Sequence, residues 1–476
     1  MRPSTALLAS LPLALLVPSV ARAAPPLAHH VCPNGLEVVV AESHAVPLVT
    51  VEVAVHEGAM TEDVQYNGVS HLYEHMFSKG NAAQPDQLAY LARLRALGMD
   101  FNGTTSNERV NYYFTTTSDH LPDALTFMRD AIATPLFDKK ELERERVVVT
   151  GEIDRNESEP SYHLWHTLEP EVFWKYPTRK DALGKRSSVL AATTDMMRTI
   201  QKRYYVPNNA ILVVSGDAKA DDVFAQADRV FASWARGDDP FKRFPLPEHP
   251  PLRTSKVVLI AQPVQNLTAT LEWQGPSTLS PSERDTYALD VLGRLAGDPG
   301  SRFQRALVDS GACVSAGLGY FTQRHTGEIG LELEATPDKV DACVGAAATE
   351  LPKLRASDSF SDEEMKNAVH RLEVGRAERR ETTGEWAHAI TGAWAISSLE
   401  YDAGYEAHIE AVTRDDLAGA LDRWVLGKPF VLGAMAAKKD IDAGLTRERI
   451  ERLVGISRAP AAPAAKAPKG ATGGAR

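Results

Sequence analysis

The sequence predicts an α+β protein in which one fold is used twice, as two homologous tandem domains. Three observations carry this reading. Valine-rich runs pair around turns, longer segments place apolar residues at helical spacing, and the same order of segments returns after a proline-rich stretch. A length of 476 residues with 43% hydrophobic and 24% charged side chains is a globular balance and suits two to four domains.

The opening MRPSTALLASLPLALLVPSVARAAPP has a cation at Arg2, an apolar run from Ala6 to Val20, and small residues at Ala21 and Ala23. Residues 1–23 therefore read as a cleaved signal peptide. The run is short for a membrane helix and broken by prolines, and no later segment is long and uncharged, so no membrane span is expected. The expectation is an exported bacterial protein, periplasmic or secreted.

Residues 30–238 then read as the first domain. NGLEVVVAESHAVPLVTVEVAVHEG, Asn34 to Gly58, supplies two strands paired around a turn. Asn67 and Ser70 can cap a helix that runs through Lys79 and stops at Gly80. Asp86 begins another, with Leu88, Leu91, Leu94 and Ala96 as its apolar positions. Strands return from Asp100 to Thr117. Leu121, Leu125, Met128 and Ile132 recur at helical spacing, a long charged helix begins near Lys139, and YYVPNNAILVVSGD, Tyr204 to Asp217, is a turn feeding an apolar strand.

Residues 239–254 are a proline-dense linker without periodicity. Across 255–456 the order repeats: SKVVLIAQPVQNLTATLEWQG gives paired strands, RDTYALDVLGRLAGD a helix, GEIGLELEAT a strand, and Ser361 to Ala377 another helix. The tail 459–476, rich in Ala, Pro and Gly, has no apolar face to bury and is expected to be disordered.

The formal net charge of -11 argues against nucleic acid as a partner, because neutralising phosphates needs a basic face. Of three cysteines, Cys32, Cys313 and Cys343, an oxidising compartment permits a Cys313–Cys343 bridge, but the sequence does not decide it.

Chemistry concentrates in SHLYEHMFSKG, Ser70 to Gly80. Positions four apart share a helix face, so His71 and His75 can present two imidazole nitrogens to one cation, with Glu74 beside them. This H-x-x-E-H string is the inverted form of the zinc-peptidase signature, with the histidines as ligands and the glutamate as base. Catalytic zinc needs a third protein ligand and an open position. Glu145 and Glu152 lie seven apart on the charged helix, about 20° apart around its axis, a spacing that suits a ligand and a supporting carboxylate.

On these residues the chain resembles the pitrilysin and insulinase family, which includes the mitochondrial processing peptidase, from about Leu36 to about Val454. The family pattern is H-x-x-E-H, a gap near 75 residues, then a glutamate ligand preceded seven positions earlier by another glutamate. Here 76 residues separate His75 from Glu152. YNGVSHLYEHMFSKG is similar to the family's active-site helix, FNGTTSNERVNYY to its Asn-Ala-x-Thr-Ser strand, with Gly103 in place of the usual alanine, and YYVPNNAILVVSGD to the strand closing its first domain.

The resemblance implies the processing-peptidase-like fold, each domain a mainly antiparallel sheet covered by helices, with the first catalytic and the second inactive. It implies one zinc ion held by His71, His75 and Glu152, Glu74 as general base toward water, and Glu145 holding or orienting a ligand. It also implies an edge strand that binds extended peptide at Asn102; from the residues alone, Asn102 and Gly103 could equally form a turn before a hairpin. His163 and His166, and likewise His29 and His30, have metal-like spacing without a supporting carboxylate pattern and are set aside.

One departure stands out. Where relatives carry an arginine and a tyrosine in text like LREKRGLAYSVSA, this chain has ALVDSGACVSAG, Ala306 to Gly317, and nearby Arg302 and Tyr320 read as a strand-end arginine and a packed tyrosine. Hence the expectation of a homodimer, or a heterodimer with a related subunit supplying that pair. The leading reading is a zinc-dependent endopeptidase cutting short or unfolded peptides in a clamshell chamber; the alternative is a weak scaffold or binding subunit of a heterodimeric peptidase.

Overall fold

The computed structural model describes residues 27–279 and 283–456, so the signal-peptide and tail expectations lie outside the described residues. The chain folds into two domains, each built on one sheet. The first sheet contains β1 (Ala28–Val31), β2 (Glu37–Glu42), β3 (Leu48–Val55), β4 (Asp100–Thr105), β5 (Val110–Thr117) and β6 (Ala210–Gly216), in the order β1-β2-β6-β3-β5-β4. The second contains β7 (Lys256–Ala261), β8 (Leu267–Gln274), β9 (Ser315–Phe321), β10 (Glu328–Ala335) and β11 (Val431–Ala436), in the order β7-β11-β8-β10-β9.

Apart from β1 the two orders are the same, which is the tandem repeat seen as topology. Each sheet is antiparallel except at one parallel pair, β2 with β6 and β7 with β11. Here the structure corrects the sequence reading: β2 and β3 are not neighbours, because β6 inserts between them, and β11 inserts in the same way between β7 and β8. Alternating apolar residues specify that a strand exists and which face it buries; they do not name its neighbour.

The helix α1 (Val69–Met76) carries the two histidines, and a short 3₁₀ turn over Phe77–Lys79 carries the chain to Gly80. Its N-terminus is not capped by Asn67 or Ser70 as expected. Gly68 is the cap residue, at φ 86°, and a Cβ there would stand 2.7 Å from the Leu183 carbonyl oxygen. The free N–H groups of Gly68 and Ser70 donate instead to the Glu62 carboxylate, both at 2.7 Å, which fills the role of a cap from outside the helix.

In α2 (Gln87–Ala96) Asp86 caps as expected, but Leu88 is 81% exposed and Tyr90 takes the core position. α3 (Leu121–Ala133) buries all four predicted apolar residues, and α4 (Lys139–Glu157) is the long charged helix. The proline-rich 239–254 segment includes one short helical turn, Pro240–Arg243. Arg302 begins a short helix rather than ending a strand and sits 3.6 Å from Asp358, while Tyr320 is packed in β9 with its hydroxyl donating to Pro276. Cys313 and Cys343 form a disulfide, and Cys32 is free and buried.

The two sheets exchange helices. α5 (Pro160–Val172), from the first half of the chain, lays Leu168 and Val172 against Val431 of β11 in the second sheet. Reciprocally, the helix Thr383–Ile396 buries Trp386, Ile390 and Trp394 on Val39, Ala54, Ile211 and Val213 of the first sheet. Polar groups lock this contact: the fully buried Glu52 pairs with His388 and accepts from Thr391 (2.6 Å) and Asn111 (2.9 Å).

Candidate active site

The geometry starts from two helices. α1 packs against α4 and against the edge strand β4, so one helix face looks at a row of carboxylates and the neighbouring face at a strand with a free edge. His71 and His75 are one turn apart, and their rings stand 4.9 Å apart at 84°, turning both Nε2 atoms to the same point. Glu152 reaches that point from α4: its Oε2 lies 3.5 Å from His71 Nε2 and 3.7 Å from His75 Nε2.

Those spacings fit a metal. A tetrahedral ion with nitrogen and oxygen donors at about 2.0–2.1 Å sets neighbouring donors roughly 3.4 Å apart. Burial, then the neighbouring His75, lowers the His71 pKa to about 4, so this imidazole is held neutral, the form that ligates.

Glu145 sits one α4 face-repeat before Glu152, 6% exposed, and does not reach the donor point. Its Oε2 accepts from His75 Nδ1 at 3.1 Å and its Oε1 from Lys79 Nζ at 2.8 Å. Burial would raise this carboxyl, but the His75 and Lys79 hydrogen bonds outweigh that and lower it. The same contact acts on His75, where burial opposes protonation and the Glu145 hydrogen bond, then Glu152 and Glu74, raise its pKa overall. Glu145 thus orients the His75 ring and fixes which nitrogen faces the site. Nδ1 of His71 has no such partner among the described residues.

Glu74 points into the same cavity, of about 470 Å³, which His71, His75, Glu145, Glu152 and Asn102 also line. Burial raises its carboxyl above the usual range, moderated by a hydrogen bond from Thr105 Oγ1 to its Oε2 at 2.8 Å. Gly103 matters here. A Cβ at this position would stand 2.9 Å from Glu74 Cγ and 3.1 Å from Tyr112 Cδ1, so the glycine leaves the Glu74 side chain its room. Asn102 lies within β4, not in a turn; the hairpin turn comes later, at Ser106–Arg109. Its Oδ1 accepts from the Gly103 N–H, and its strand pairs only with β5, leaving the other edge open.

Sequence reasoning missed Thr105 and Lys79. Thr105 stood in the quoted strand motif, and Lys79 lies four residues after His75, a helical spacing that could have flagged it. His163 Nε2 donates to the Glu157 carbonyl oxygen at 2.8 Å, and His166 stands 3.5 Å from Asp181. The corresponding place in the second domain, between the helix Glu283–Gly297, β9 and the helix Asp362–Glu378, is a cavity of about 770 Å³ lined by Asp290, Arg294, Arg376 and Tyr405. Among the described residues it gathers no metal-ligating set.

Comparison with known proteins agrees with this asymmetry. The family model described as insulinase (peptidase family M16) matches residues 37–184, and that described as peptidase M16 inactive domain matches residues 191–372. An uncharacterized zinc protease of Streptomyces coelicolor is 24% identical over 432 residues, covering 88% of this chain and 91% of its own. A probable mitochondrial-processing peptidase subunit beta of Arabidopsis thaliana is 23% identical over 265 residues, 56% of this chain and 49% of that protein. A crystal structure of a protease from Helicobacter pylori shares the fold with a TM-score of 0.76 at 18% identity, over 87% of this chain and all of that one.

Proposed function

The chain belongs to the insulinase family of peptidases, M16, and from that premise we propose that it is a zinc-dependent endopeptidase acting on short or unfolded peptides. One observation carries the reading: Glu152 Oε2 stands 3.5 Å from His71 Nε2 and 3.7 Å from His75 Nε2, the three donors lying within 4.8 Å of one another on a cavity that also holds Glu74. His71 Nε2, His75 Nε2 and Glu152 Oε2 would hold the ion. Zinc bound there supplies Lewis acidity, polarising a carbonyl and acidifying a water.

The remaining work falls to the chain's own groups. Glu74 accepts the proton of the attacking water on a carboxylate oxygen and returns it to the leaving amine. Thr105 holds the other oxygen, keeping one orientation of the carboxylate. The open edge of β4, at Phe101 to Thr105, supplies backbone N–H and C=O groups to an extended peptide, so recognition runs mainly through main chain and tolerates varied side chains.

Tyr320 donates its hydroxyl to Pro276 and Arg302 lies exposed, 3.6 Å from Asp358; neither is taken to stand in for the arginine and tyrosine absent from Ala306–Gly317. A second subunit, a copy or a related chain, supplies them and closes the chamber. Export to the periplasm or exterior rests on the leader-like residues 1–23; no helix among the described residues is long and apolar enough to cross a membrane.

The test compares wild type, Glu74→Gln and a His71→Ala/His75→Ala variant for metal content and peptide cleavage. The histidine variant should lose one zinc per chain, and Glu74→Gln should keep that zinc while losing about 10²–10⁴-fold in turnover. Equal metal content in wild type and the histidine variant would refute the reading. Zinc at the site without cleavage, with candidate partners added, would make the chain the scaffold subunit instead.

A further inference from the structure

We propose a second metal site in this chain, formed by His30, Cys32 and Asp228, for a thiophilic divalent cation of the zinc and cobalt class. His30 and Cys32 are two apart on the extended segment that begins with the edge strand β1, so their side chains leave the same face. The residues between and before them face away: Val31 is 52% exposed and His29 pairs with Glu37. Asp228 comes from the helix Ala220–Val230, nearly two hundred residues later, which lies over β2.

Their donor atoms all lie within 4.8 Å of one another, with His30 Nε2 3.0 Å from Asp228 Oδ1. The buried Cys32 sulfur completes the set. Phe224, one turn before Asp228 on the helix, packs on the His30 ring at 5.1 Å and fixes its orientation. His30 is thus presented by β1, Cys32 from the position just after it, and Asp228 by a helix.

Convergence of this kind is rare in the molecule. Despite 63 acidic residues and 14 histidines, only two sets of three or more donors come this close among the described residues, and the other is His71, His75 and Glu152. The chemistry of the two differs. One imidazole, one thiolate and one carboxylate around a divalent ion make an electrically neutral group, and the sulfur selects against magnesium and calcium. Cys32 is the cysteine left outside the disulfide, which gives its sulfur no other covalent partner. The ion would staple the segment that begins with β1 to the helix Ala220–Val230, leaving one position for water.

Cobalt provides the test, because only a sulfur ligand gives a thiolate-to-cobalt charge-transfer band in the near ultraviolet, and the His71 site contains no sulfur. The full chain is stripped with chelator, reloaded with cobalt, and read by metal content and absorption. Expected are two ions per chain with the band in wild type, one ion with the band intact in His71→Ala/His75→Ala, and one ion with the band lost in both Cys32→Ser and Asp228→Asn. Wild type lacking the band overturns the proposal without any variant. A band that survives Cys32→Ser overturns it too.

Discussion

Replacing Glu145 by Gln should weaken metal binding at His71, His75 and Glu152 without abolishing it. The substitution keeps the shape of a side chain 6% exposed and removes its charge. Two contacts are affected, 3.1 Å to His75 Nδ1 and 2.8 Å to Lys79 Nζ. A carboxylate behind a ligating imidazole raises the basicity of the opposite nitrogen, and losing such a partner typically costs 10–100-fold in metal affinity, about 1.4–2.7 kcal/mol. Lys79, its side chain 12% exposed, would then hold an uncompensated ammonium beside that imidazole. Adding Lys79→Met to Glu145→Gln should therefore recover part of the loss, a coupling on the order of 0.5–3 kcal/mol. The assay is competition for zinc against a chelating dye, run in a Cys32→Ser background so that one donor set is read. At saturating zinc, turnover should return to near wild type, since Glu145 positions a ligand and touches no substrate. Affinity within twofold of wild type, or strictly additive effects of the two substitutions, would refute the reasoning.

Three further outcomes are expected. Gly103→Ala places a Cβ 2.9 Å from Glu74 Cγ, so the base must shift by a few tenths of an ångström; turnover should fall roughly tenfold with zinc content unchanged, measured by peptide cleavage and metal analysis. His56, stacked on Trp394 between the domains, has its pKa lowered to about 3 by burial and then by Arg324. A depressed histidine contributes stability above its unfolded pKa and loses it as pH falls through 6.5 toward 3. Urea unfolding should thus show wild type losing about 1.4 kcal/mol more than His56→Phe between pH 7.5 and 5.5. Removing the Cys313–Cys343 bridge, which closes a separation of 30 residues, should lower unfolding free energy by about 3–4 kcal/mol, read by denaturant titration of the double serine variant.

What the sequence disclosed was periodic. A spacing of four from His71 to His75, and of seven from Glu145 to Glu152, places each pair on one helix face from geometry alone, and the two helices exist where their patterns put them. What brings the faces together is the packing of α1 on α4, which no local pattern encodes; the family resemblance, not the spacing, joined Glu152 to the histidines. The insertion of β6 between β2 and β3 was hidden for the same reason, since a valine-rich strand satisfies either neighbour equally. Leu88 was misplaced because α2 has two apolar faces and Tyr90, not Leu88, turns inward. The bridge between Cys313 and Cys343 depends on a Cα separation of 4.8 Å that only the folded chain defines. Thr105 and the roomy glycine at 103 work through Glu74, about thirty residues away in sequence, and only the fold gives that neighbour a position; Lys79 had a helical spacing to His75 as a signal, but its partner Glu145 is set by the packing of α1 on α4.

The exchange of helices between the sheets has a mechanical meaning. Each half wears a panel made by the other, so prising the halves apart means stripping Trp386 and Trp394 from one sheet and Leu168 and Val172 from the other at the same moment. The two domains are thus tied through both sheets at once.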